Sequence, residues 1–456
     1  MARVAVPDTP APTGDASPTP LTSFEALLTD EGQRLLAELR DYDPAHELAV
    51  ATRLRRDHPA ALVTAALAQA RLRQRAAAKF GARDAARMYF TPDGVEQATR
   101  TAVAAHRAER FAARGVRRIA DLCCGIGGDA IELARAGIAV LAVDRDPLTC
   151  AVARANAAAL GLTARVEVRC ADVTEVDTSA YDGVFVDPAR RGGRGGRGGR
   201  IFDPEAYAPP LSWAVKTARA ADAAALKIAP GVPHEALPED AEAEWVSHAG
   251  DVKEAVLWFG GARSGARGGA PAVRATLLPR GDSLSGAGAG AGGAGGGGAG
   301  AGGGGAGAGG GGAGAGGGGA GAGGGAPYEA PPVGPVGRYL YEPDGAVIRA
   351  HLVAEVVRET GGRLIDPSIA YVTADERVRT PFATAYEITD VLPFNLKRLR
   401  AAARARGRHA DREEARLGGR TGGTAAEGEA AGAGSATVFL TRVAGAPSML
   451  LGHPAV

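Results

Sequence analysis

The sequence has few of the residues that mark several common classes of protein. Only four of its 456 residues are cysteine, Cys123, Cys124, Cys150 and Cys170, and their spacing matches neither a disulfide framework nor a zinc site. Aromatic residues make up 5% of the chain, and there is no run of about 18 apolar residues that could span a membrane. We therefore expect reduced thiols, no metal, no membrane contact and a cytoplasmic location.

Lysine is also scarce, since it accounts for five of the 52 basic residues and arginine for the other 47. The formal net charge is only +1, so the chain as a whole would not attract a nucleic acid. Any site for a polyanion must come from local clusters. Arginine suits bidentate binding of phosphate, but a coding bias toward arginine and alanine explains its excess equally well.

The N-terminal quarter of the chain is predicted to be helical. Residues 1–21 form a tail rich in Pro, Thr, Ala and Asp, which lacks the apolar core of a signal peptide. Residues 22–115 follow as a helical N-terminal segment, with leucines at helical spacing and a second run over 59–80. At 456 residues the whole chain is expected to contain two or three domains.

The last helix of this segment is predicted to begin at Thr91-Pro92-Asp93. Thr91 can accept hydrogen bonds from first-turn amides, and Pro92 sits where a missing N–H costs nothing. The same helix would contain a group of basic residues, His106, Arg107, Arg110 and Arg114. These residues form either a solvated face or a basic wall toward a substrate cleft.

Residues 116–280 are predicted to form a parallel sheet. Short apolar runs alternate with helical stretches, near 117–122, 138–143, 164–169, 182–186 and 224–229. This alternation is typical of βαβ units. Three later strand-like stretches, near 244–248, 255–259 and 272–278, are separated by short turns and are predicted to be antiparallel edge strands.

A flexible linker is predicted over 281–336, because residues 286–326 are only Gly and Ala and cannot bury side chains. A small C-terminal domain is expected over 337–456. It would contain a helix around 346–359 and strands near 368–373 and 436–442. A low-complexity insertion near 411–434 interrupts it.

A glycine-rich loop after the first strand is the main candidate for a ligand site. We call residues 121–129 the cofactor loop; its candidate contacts are Asp121, Cys123, Cys124, Gly125, Gly127, Gly128 and Asp129. The glycines allow the backbone to approach a ligand, and the helix that follows presents free amides to an anion. Asp144 ends the next strand, 23 residues after Asp121, where a carboxylate can hold the two ribose hydroxyls of a nucleoside.

The glycine spacing alone leaves a dinucleotide, or a fold without ligand, as alternatives. Three acids favour S-adenosylmethionine instead. Asp121 lies four residues before the first glycine and can help to hold the methionine ammonium. Asp172 ends the third strand, where it could bind the adenine amine, and Asp187-Pro188 ends the fourth strand, which is a feature of methyl transfer rather than hydride transfer.

Together these residues resemble the class I methyltransferases that use S-adenosylmethionine. The resemblance is greatest to a bacterial family whose methyltransferase domain precedes a THUMP-like domain, and whose catalytic domain is similar to the RNA cap guanine-N2 (trimethylguanosine synthase-like) methyltransferases. The matching motifs are Ala78-Lys-Phe-Gly81, Phe90-Thr-Pro92, Glu96-Gln-Ala-Thr-Arg100, the cofactor loop, Asp187-Pro-Ala-Arg-Arg191, Ile228-Ala-Pro-Gly231, Pro233-His234 and Tyr339-Leu-Tyr-Glu-Pro343. The resemblance implies an α/β fold: a Rossmann-like sheet with an N-terminal helical segment, a small C-terminal α+β domain, and RNA as partner.

The motif after the fourth strand departs from the amino-methylating members of that family. In those enzymes an acidic or amide residue and the carbonyl beside it hold the target amine, and an aromatic residue stacks on the base. Asp187 and Pro188 match, but Ala189-Arg190 replaces the aromatic end. The motif also resembles the loop of 5-methyluridine RNA methyltransferases, which need a later cysteine, and none follows Cys170.

The expected activity is therefore a direct in-line methyl transfer to a base of tRNA or rRNA. Asp187 and Pro188 would orient the acceptor. Arg190 and Arg191 would hold a phosphate or the substrate rim, or would instead form salt bridges to Asp203 or Glu205. The Arg-Gly-Gly repeat over 191–199 is either a flexible lid or a nucleic-acid contact. Two alternatives stay open: a non-catalytic RNA-binding protein that keeps S-adenosylmethionine as a structural ligand, or a methyltransferase acting on a small molecule or a protein.

Overall fold

The computed structural model describes residues 19–189, 204–260, 272–287, 330–395 and 437–455. These residues belong to two compact units that divide between Ala224 and Ala225. The predictions for residues 1–18, Arg190, Arg191, the Arg-Gly-Gly repeat, most of the Gly/Ala linker and the 411–434 insertion lie outside the described residues. Within the described ranges, every helix is too short or too polar to cross a bilayer.

The first unit opens with the predicted helices. They are α1 (Pro20–Leu27), α2 (Asp30–Glu38), α3 (Glu47–Leu54), α4 (Ala60–Phe80), α5 (Ala82–Ala85), α6 (Pro92–Gln97) and α7 (Thr101–Ala113). Threonine side chains cap three of them and satisfy amides that have no partner inside the helix, at Thr19, Thr29 and Thr91. Their apolar faces meet in a core that includes Leu35, Val63 and Ala66.

The helix predicted from Thr91 onward is in fact two helices. Thr91 caps α6 as expected, with its hydroxyl accepting from the Gly94 amide at 3.0 Å. Ala98 and Arg100 then adopt extended conformations, with ψ of 141° and 142°, so α7 begins anew at Thr101. Thr99 between them is buried. The sequence contains no proline or glycine at this point, which is why the break was not predicted.

A parallel sheet follows in the same unit. Its elements are β1 (Arg118–Leu122), α8 (Gly128–Arg135), β2 (Ala139–Asp144), α9 (Pro147–Ala159), β3 (Val166–Cys170), β4 (Gly183–Val186) and α10 (Leu211–Ala220). The strand order is β3-β2-β1-β4, and each neighbouring pair is parallel. These strands, and β5 (Ala223–Ile228), which contains the division between the units, confirm the five predicted strands.

The second unit continues with β6 (Glu242–His248), β7 (Asp251–Gly260), β8 (Ala272–Leu278) and β9 (Asp282–Ala287), in the order β7-β6-β8-β9. β6 and β7 are antiparallel as predicted, but β8 pairs with β6 in parallel, so the prediction of an antiparallel edge is wrong for β8. β9 pairs antiparallel with β8 and lies inside the range predicted to be linker.

The C-terminal part of the second unit is an antiparallel sheet of order β11-β12-β10-β13-β15-β14. Its elements are β10 (Tyr339–Pro343), α11 (Gly345–Arg349), α12 (Val353–Thr360), β11 (Arg363–Leu364), β12 (Val372–Ala374), β13 (Ala383–Pro393), β14 (Thr437–Val443) and β15 (Ala446–Pro454). The single helix predicted around 346–359 is broken at His351, whose φ of 57° is left-handed. The predicted fold class is confirmed: N-terminal helices, a Rossmann-like mixed sheet and a C-terminal antiparallel sheet.

Candidate cofactor site

The predicted site lies where three parallel strands end. Asp121 is the fourth residue of β1, Asp144 is the last residue of β2, and Asp187 directly follows β4. Because β2, β1 and β4 are parallel neighbours, their carboxyl ends share one edge of the sheet. Open α/β sheets bind their ligands at this edge. The register therefore brings together three acids that are far apart in the sequence.

The cofactor loop has an unusual backbone that is held to β2. Cys123, Gly125 and Gly127 have φ of 66°, 57° and 85°, all in the left-handed region. Glycine adopts this conformation freely, whereas Cys123 does so at a cost of about 1 kcal/mol or more. The Cys124 amide donates to the Val143 carbonyl at 2.9 Å, and the Gly125 amide donates to Asp144 Oδ2 at 3.1 Å. Two hydrogen bonds therefore hold the loop to the end of β2.

The glycines of the loop have different surroundings. A Cβ added to Gly125 would meet no heavy atom within 4 Å, whereas one added to Gly127 would lie 3.5 Å from Ala153 Cβ on α9. Gly128 begins α8 and places the amides of its first turn at the same edge of the sheet. The backbone at Gly125 is thus accessible to a ligand, as the sequence predicts.

The environment of the Asp121 carboxylate indicates whether S-adenosylmethionine fits this site. Its side chain is fully buried, and within the described residues neither carboxylate oxygen has a hydrogen-bond partner. Burial raises its pKa well above the ordinary value, the charges of Asp129 and Asp187 raise it further, and Arg107 lowers it. A buried acceptor without a donor is costly and rare in native proteins. The ammonium of a methionine group would supply the missing donor and charge, so the site fits S-adenosylmethionine.

Asp144 fixes the loop and retains capacity for a ligand. Its Oδ1 accepts from the Asp146 amide at 3.0 Å, and its Oδ2 accepts from Gly125. Burial raises the pKa of this carboxyl group, against the effect of the amides that donate to it. Each carboxylate oxygen can accept more than one hydrogen bond. The ribose role predicted for Asp144 is therefore compatible with its structural role.

Asp172 lies just beyond β3 and is exposed. Its Oδ1 accepts from the Thr174 amide at 2.9 Å and from the Thr174 hydroxyl at 2.7 Å, which caps a short turn over Val173–Glu175. These bonds lower the pKa of the Asp172 carboxyl group. The residue stands at the predicted edge of the sheet, with one oxygen engaged by the turn. Its contact with adenine stays a prediction.

Asp129 forms an ion pair that the sequence did not predict. Its partner is Arg107 of α7, whose side chain is only 1% exposed. The Arg107 guanidinium also lies 4.3 Å from the centre of the Phe185 ring, on β4. Arg107 lies on the buried face of α7 with Val103 and Phe111. For Arg107, both predictions, a solvated helix face and a basic wall toward a substrate cleft, are therefore wrong. Whether Asp129 also contacts the cofactor stays a prediction.

The candidate acceptor motif is held beside the same loop. The Asp187 amide donates to the Leu122 carbonyl at 3.1 Å, and Asp187 is half-buried while Pro188 is buried. Ala189 exchanges two backbone hydrogen bonds with Ala208, at 3.0 and 3.2 Å. The charge of Asp187 raises the pKa of Asp121 and of Cys123, so the three side chains are close in space.

The four cysteines are all free thiols. Burial raises the pKa of Cys123 and Cys124 well above the ordinary value, and it raises the pKa of Cys150 to about 12. A thiol that stays protonated is a poor nucleophile. Within the described ranges, no group of three His, Cys, Asp or Glu residues is placed to hold a metal ion.

The sequence did not predict the contacts that Arg107 and Asn156 make with the cofactor loop. Asn156 lies on the buried face of α9 with Val152 and Ala153, and its side chain donates to the Ile126 carbonyl at 2.9 Å. Its only signal in the sequence was an amide at a helical position otherwise occupied by small or apolar residues.

Comparison with known proteins agrees with this geometry. Residues 119–188 match the methyltransferase domain family, and residues 20–76 match a domain of unknown function. The chain is 32% identical over 339 residues to an uncharacterized S-adenosylmethionine-dependent methyltransferase of Mycobacterium tuberculosis, covering 72% of this chain and 78% of that protein.

Two further similarities are more limited in what they show. A methyltransferase structure from Porphyromonas gingivalis W83 covers 91% of this chain and 100% of its own with a TM-score of 0.63; at 18% identity it supports the fold alone. An 80-residue stretch is 36% identical to the 23S rRNA (uracil(1939)-C(5))-methyltransferase RlmD of Acidithiobacillus ferrooxidans, covering 16% of this chain and 18% of that enzyme.

Proposed function

The chain belongs to the S-adenosylmethionine-dependent methyltransferases, and from this premise we propose that its acceptor is a base of tRNA or rRNA. The observation that most supports a base as acceptor is Asp187-Pro188 at the end of β4, close to the buried Asp121. An acid and a carbonyl at this position can hold a planar amine and direct its lone pair toward the donor.

The residues of the first unit have distinct roles in this proposal. Asp121 binds the methionine ammonium, Asp144 holds the ribose hydroxyls and Asp172 binds the adenine amine. The backbone of Cys123, Cys124, Gly125, Gly127, Gly128 and Asp129 lines the cofactor. The cofactor would supply a methyl group on a positively charged sulfonium, and the sulfur would leave as a neutral thioether when the methyl group is transferred.

Because the donor is reactive, the protein mainly has to align the acceptor. Asp187 and the Pro188 carbonyl orient the base for in-line attack, and proximity accounts for most of the rate. No strong base is needed, since the proton can leave the acceptor to solvent after transfer. Arg190 and Arg191, outside the described residues, would bind a phosphate at the rim of this site.

Three observations support RNA as the substrate. The short similarity to an rRNA methyltransferase is one. The resemblance of the C-terminal sequence to that of a THUMP-like domain is the second, and the Arg-Gly-Gly repeat over 191–199 is the third. None of the three identifies the nucleotide, so the experiment must begin with unfractionated RNA.

The test is transfer of labelled methyl groups to total RNA from cells that lack the protein. We expect label in RNA with the unmodified chain and an incorporation about 100-fold lower with Asp187→Ala, because a misplaced acceptor loses this much rate. Asp177→Ala is the matched control, since Asp177 is an exposed acid that only closes a turn with Ser179. Mapping the labelled nucleoside would then identify the acceptor atom.

A second candidate function is RNA binding without catalysis, with S-adenosylmethionine as a structural ligand. It is favoured by Ala189-Arg190, which replaces the aromatic end of the motif found in amino-methylating enzymes. Cofactor binding together with RNA binding, but no transfer at any RNA concentration, would support this function over ours. Label that enters protein or small molecules instead of RNA would contradict both.

A further inference from the structure

We propose that Asn156 is a positioning residue for the cofactor, which fastens the cofactor loop to the N-terminal helical segment. The proposal rests on the cofactor site described above, and is independent of what accepts the methyl group. It implies that the helices before the sheet are part of the machinery that binds S-adenosylmethionine. Three features of the first unit support it.

The hydrogen bonds of Asn156 join three parts of the chain. Asn156 lies on α9 and is fully buried. Its Oδ1 accepts from the Tyr89 amide at 2.6 Å, while its Nδ2 donates to the Tyr89 carbonyl at 3.0 Å and to the Ile126 carbonyl at 2.9 Å. One side-chain amide thus connects α9, the residue two positions before the Thr91 cap, and the middle of the cofactor loop.

Ile126 is anchored on its other side by the helical segment. It lies between the left-handed Gly125 and Gly127, yet its side chain is 2% exposed and belongs to the apolar core formed by α1, α2 and α4. A Cβ added to Gly94 of α6 would come within 2.6 Å of Ile126 Cγ2. The loop therefore inserts one apolar side chain into the helices, while its glycine backbone is left for the ligand.

The contacts of Asn156 and Ile126 fix the glycine backbone on either side of Ile126, which is the part of the loop proposed to contact the cofactor. The Gly125 amide points at Asp144, and the Gly127 amide donates to the Cys124 carbonyl at 3.0 Å. Without Asn156 the buried Ile126 carbonyl would lose its donor, and the loop would relax to satisfy it. Such a movement would displace Gly125 relative to Asp144, and so weaken the contacts to the ribose and the methionine group.

Gln69 provides a matched control for a merely structural role. It is also a buried side-chain amide, on α4, and it also bonds to the chain before α6. In the amide orientation that satisfies both groups, it accepts from the Phe90 amide at 3.0 Å and donates to the Phe90 carbonyl at 3.1 Å. It forms no hydrogen bond to the cofactor loop. Loss of either side-chain amide should lower the free energy of unfolding by a similar amount. Only loss of the Asn156 amide should change the conformation of the cofactor loop.

The test compares Asn156→Ala and Gln69→Ala by calorimetric binding of S-adenosylhomocysteine and by urea unfolding. We expect similar losses of stability, with affinity about tenfold weaker in Asn156→Ala and nearly unchanged in Gln69→Ala, since tenfold corresponds to one buried hydrogen bond. Equal affinities in the two variants would overturn the proposal. It would also be overturned if the loss of affinity in each variant were proportional to its loss of unfolding free energy.

Two further measurements keep the proposal testable if Asn156→Ala folds poorly. Gly94→Ala crowds Ile126 and should also weaken binding, whereas Gly183→Ala places a Cβ 2.9 Å from Val116 at the opposite end of β4 and should not. In the unmodified chain, saturating S-adenosylhomocysteine should slow hydrogen exchange of the Tyr89 amide, which Asn156 holds. If the Tyr89 amide exchanges at the same rate with and without S-adenosylhomocysteine, the proposed connection between Asn156 and cofactor binding is contradicted.

Discussion

Four acids in and around the cofactor loop are in different electrostatic environments. Asp129 is paired with Arg107, Asp144 accepts two backbone amides, and Asp187 lies half-buried after β4. Asp121 is fully buried among them and lacks a hydrogen-bond donor within the described residues. Its charge is therefore the most costly of the four, which is a reason to place the ammonium of the cofactor there.

Cofactor binding is predicted to depend on pH through Asp121. Since burial raises its pKa in the folded chain, Asp121 is protonated at pH values where an ordinary aspartate is charged. Its contribution to stability without ligand is present at low pH and is lost as the pH rises through that raised pKa. Affinity for S-adenosylhomocysteine should therefore increase over the same interval, because the ionised form binds the ammonium.

Calorimetry across pH 5 to 9, in two buffers with different ionisation enthalpies, would measure the proton released on binding. Asp121→Asn should weaken binding and flatten the pH profile. An unchanged profile in this variant would assign the proton to another group, with Asp144 as the next candidate, since its pKa is also raised by burial.

At the scale of elements, the helix predicted around 346–359 is interrupted where its residues make long-range contacts. The α11 helix stops at Arg349, and the left-handed His351 turns the chain before α12. The His351 ring stacks 3.6 Å from that of His234, which in turn stacks on Trp245 at 4.9 Å. Nε2 of His234 donates to the Arg349 carbonyl at 2.8 Å. The loop after β5 and the end of α11 are thus joined within the second unit.

This junction is predicted to weaken at acidic pH. Burial and the neighbouring His234 lower the pKa of His351, while Glu235 opposes them. A histidine with a lowered pKa contributes stability above its ordinary pKa of about 6.5, and that contribution is lost as the pH falls. The unfolding temperature of the second unit should therefore fall between pH 7.5 and 5.5, and fall less in His351→Gln. His46→Gln, at an exposed histidine, should show the same fall as the unmodified chain.

At the scale of the molecule, the N-terminal helices and the sheet region of the first unit share one apolar core. Ile126 and Ile131 of the sheet region belong to the apolar core of the N-terminal helices, as does Val152 of α9. The Arg107–Asp129 pair joins α7 to α8 in the same way. Removal of the N-terminal helices would therefore expose the cofactor loop.

Arg107→Met is predicted to destabilise the first unit by about 3 kcal/mol, because it leaves the Asp129 charge buried without its partner. Urea unfolding of the unmodified chain and the variant would measure the loss. Arg83→Met, at an exposed arginine of α5, should change stability by less than about 0.5 kcal/mol. Addition of Asp129→Asn to Arg107→Met should restore part of the loss; a further loss would show that the pair is not the cause.

The sequence by itself determined the features that depend on local pattern. Apolar runs of strand length predicted β1 to β5, the glycines and Asp121 predicted the cofactor loop, and Thr91 predicted the start of α6. Each depends on period, capping or backbone freedom, which neighbouring residues decide. Membership of the methyltransferase family follows from the same local motifs.

Only the tertiary structure decided which polar residues turn inward and how distant strands pair. Arg107 and Asn156 look like ordinary residues of surface helices until Asp129 and Ile126 are placed against them. The parallel pairing of β8 with β6, and the break at His351, likewise depend on contacts far apart in the chain. A buried polar group is tolerated only when its hydrogen-bond partners are in place. The order of residue types along the sequence does not say where those partners lie in the folded chain.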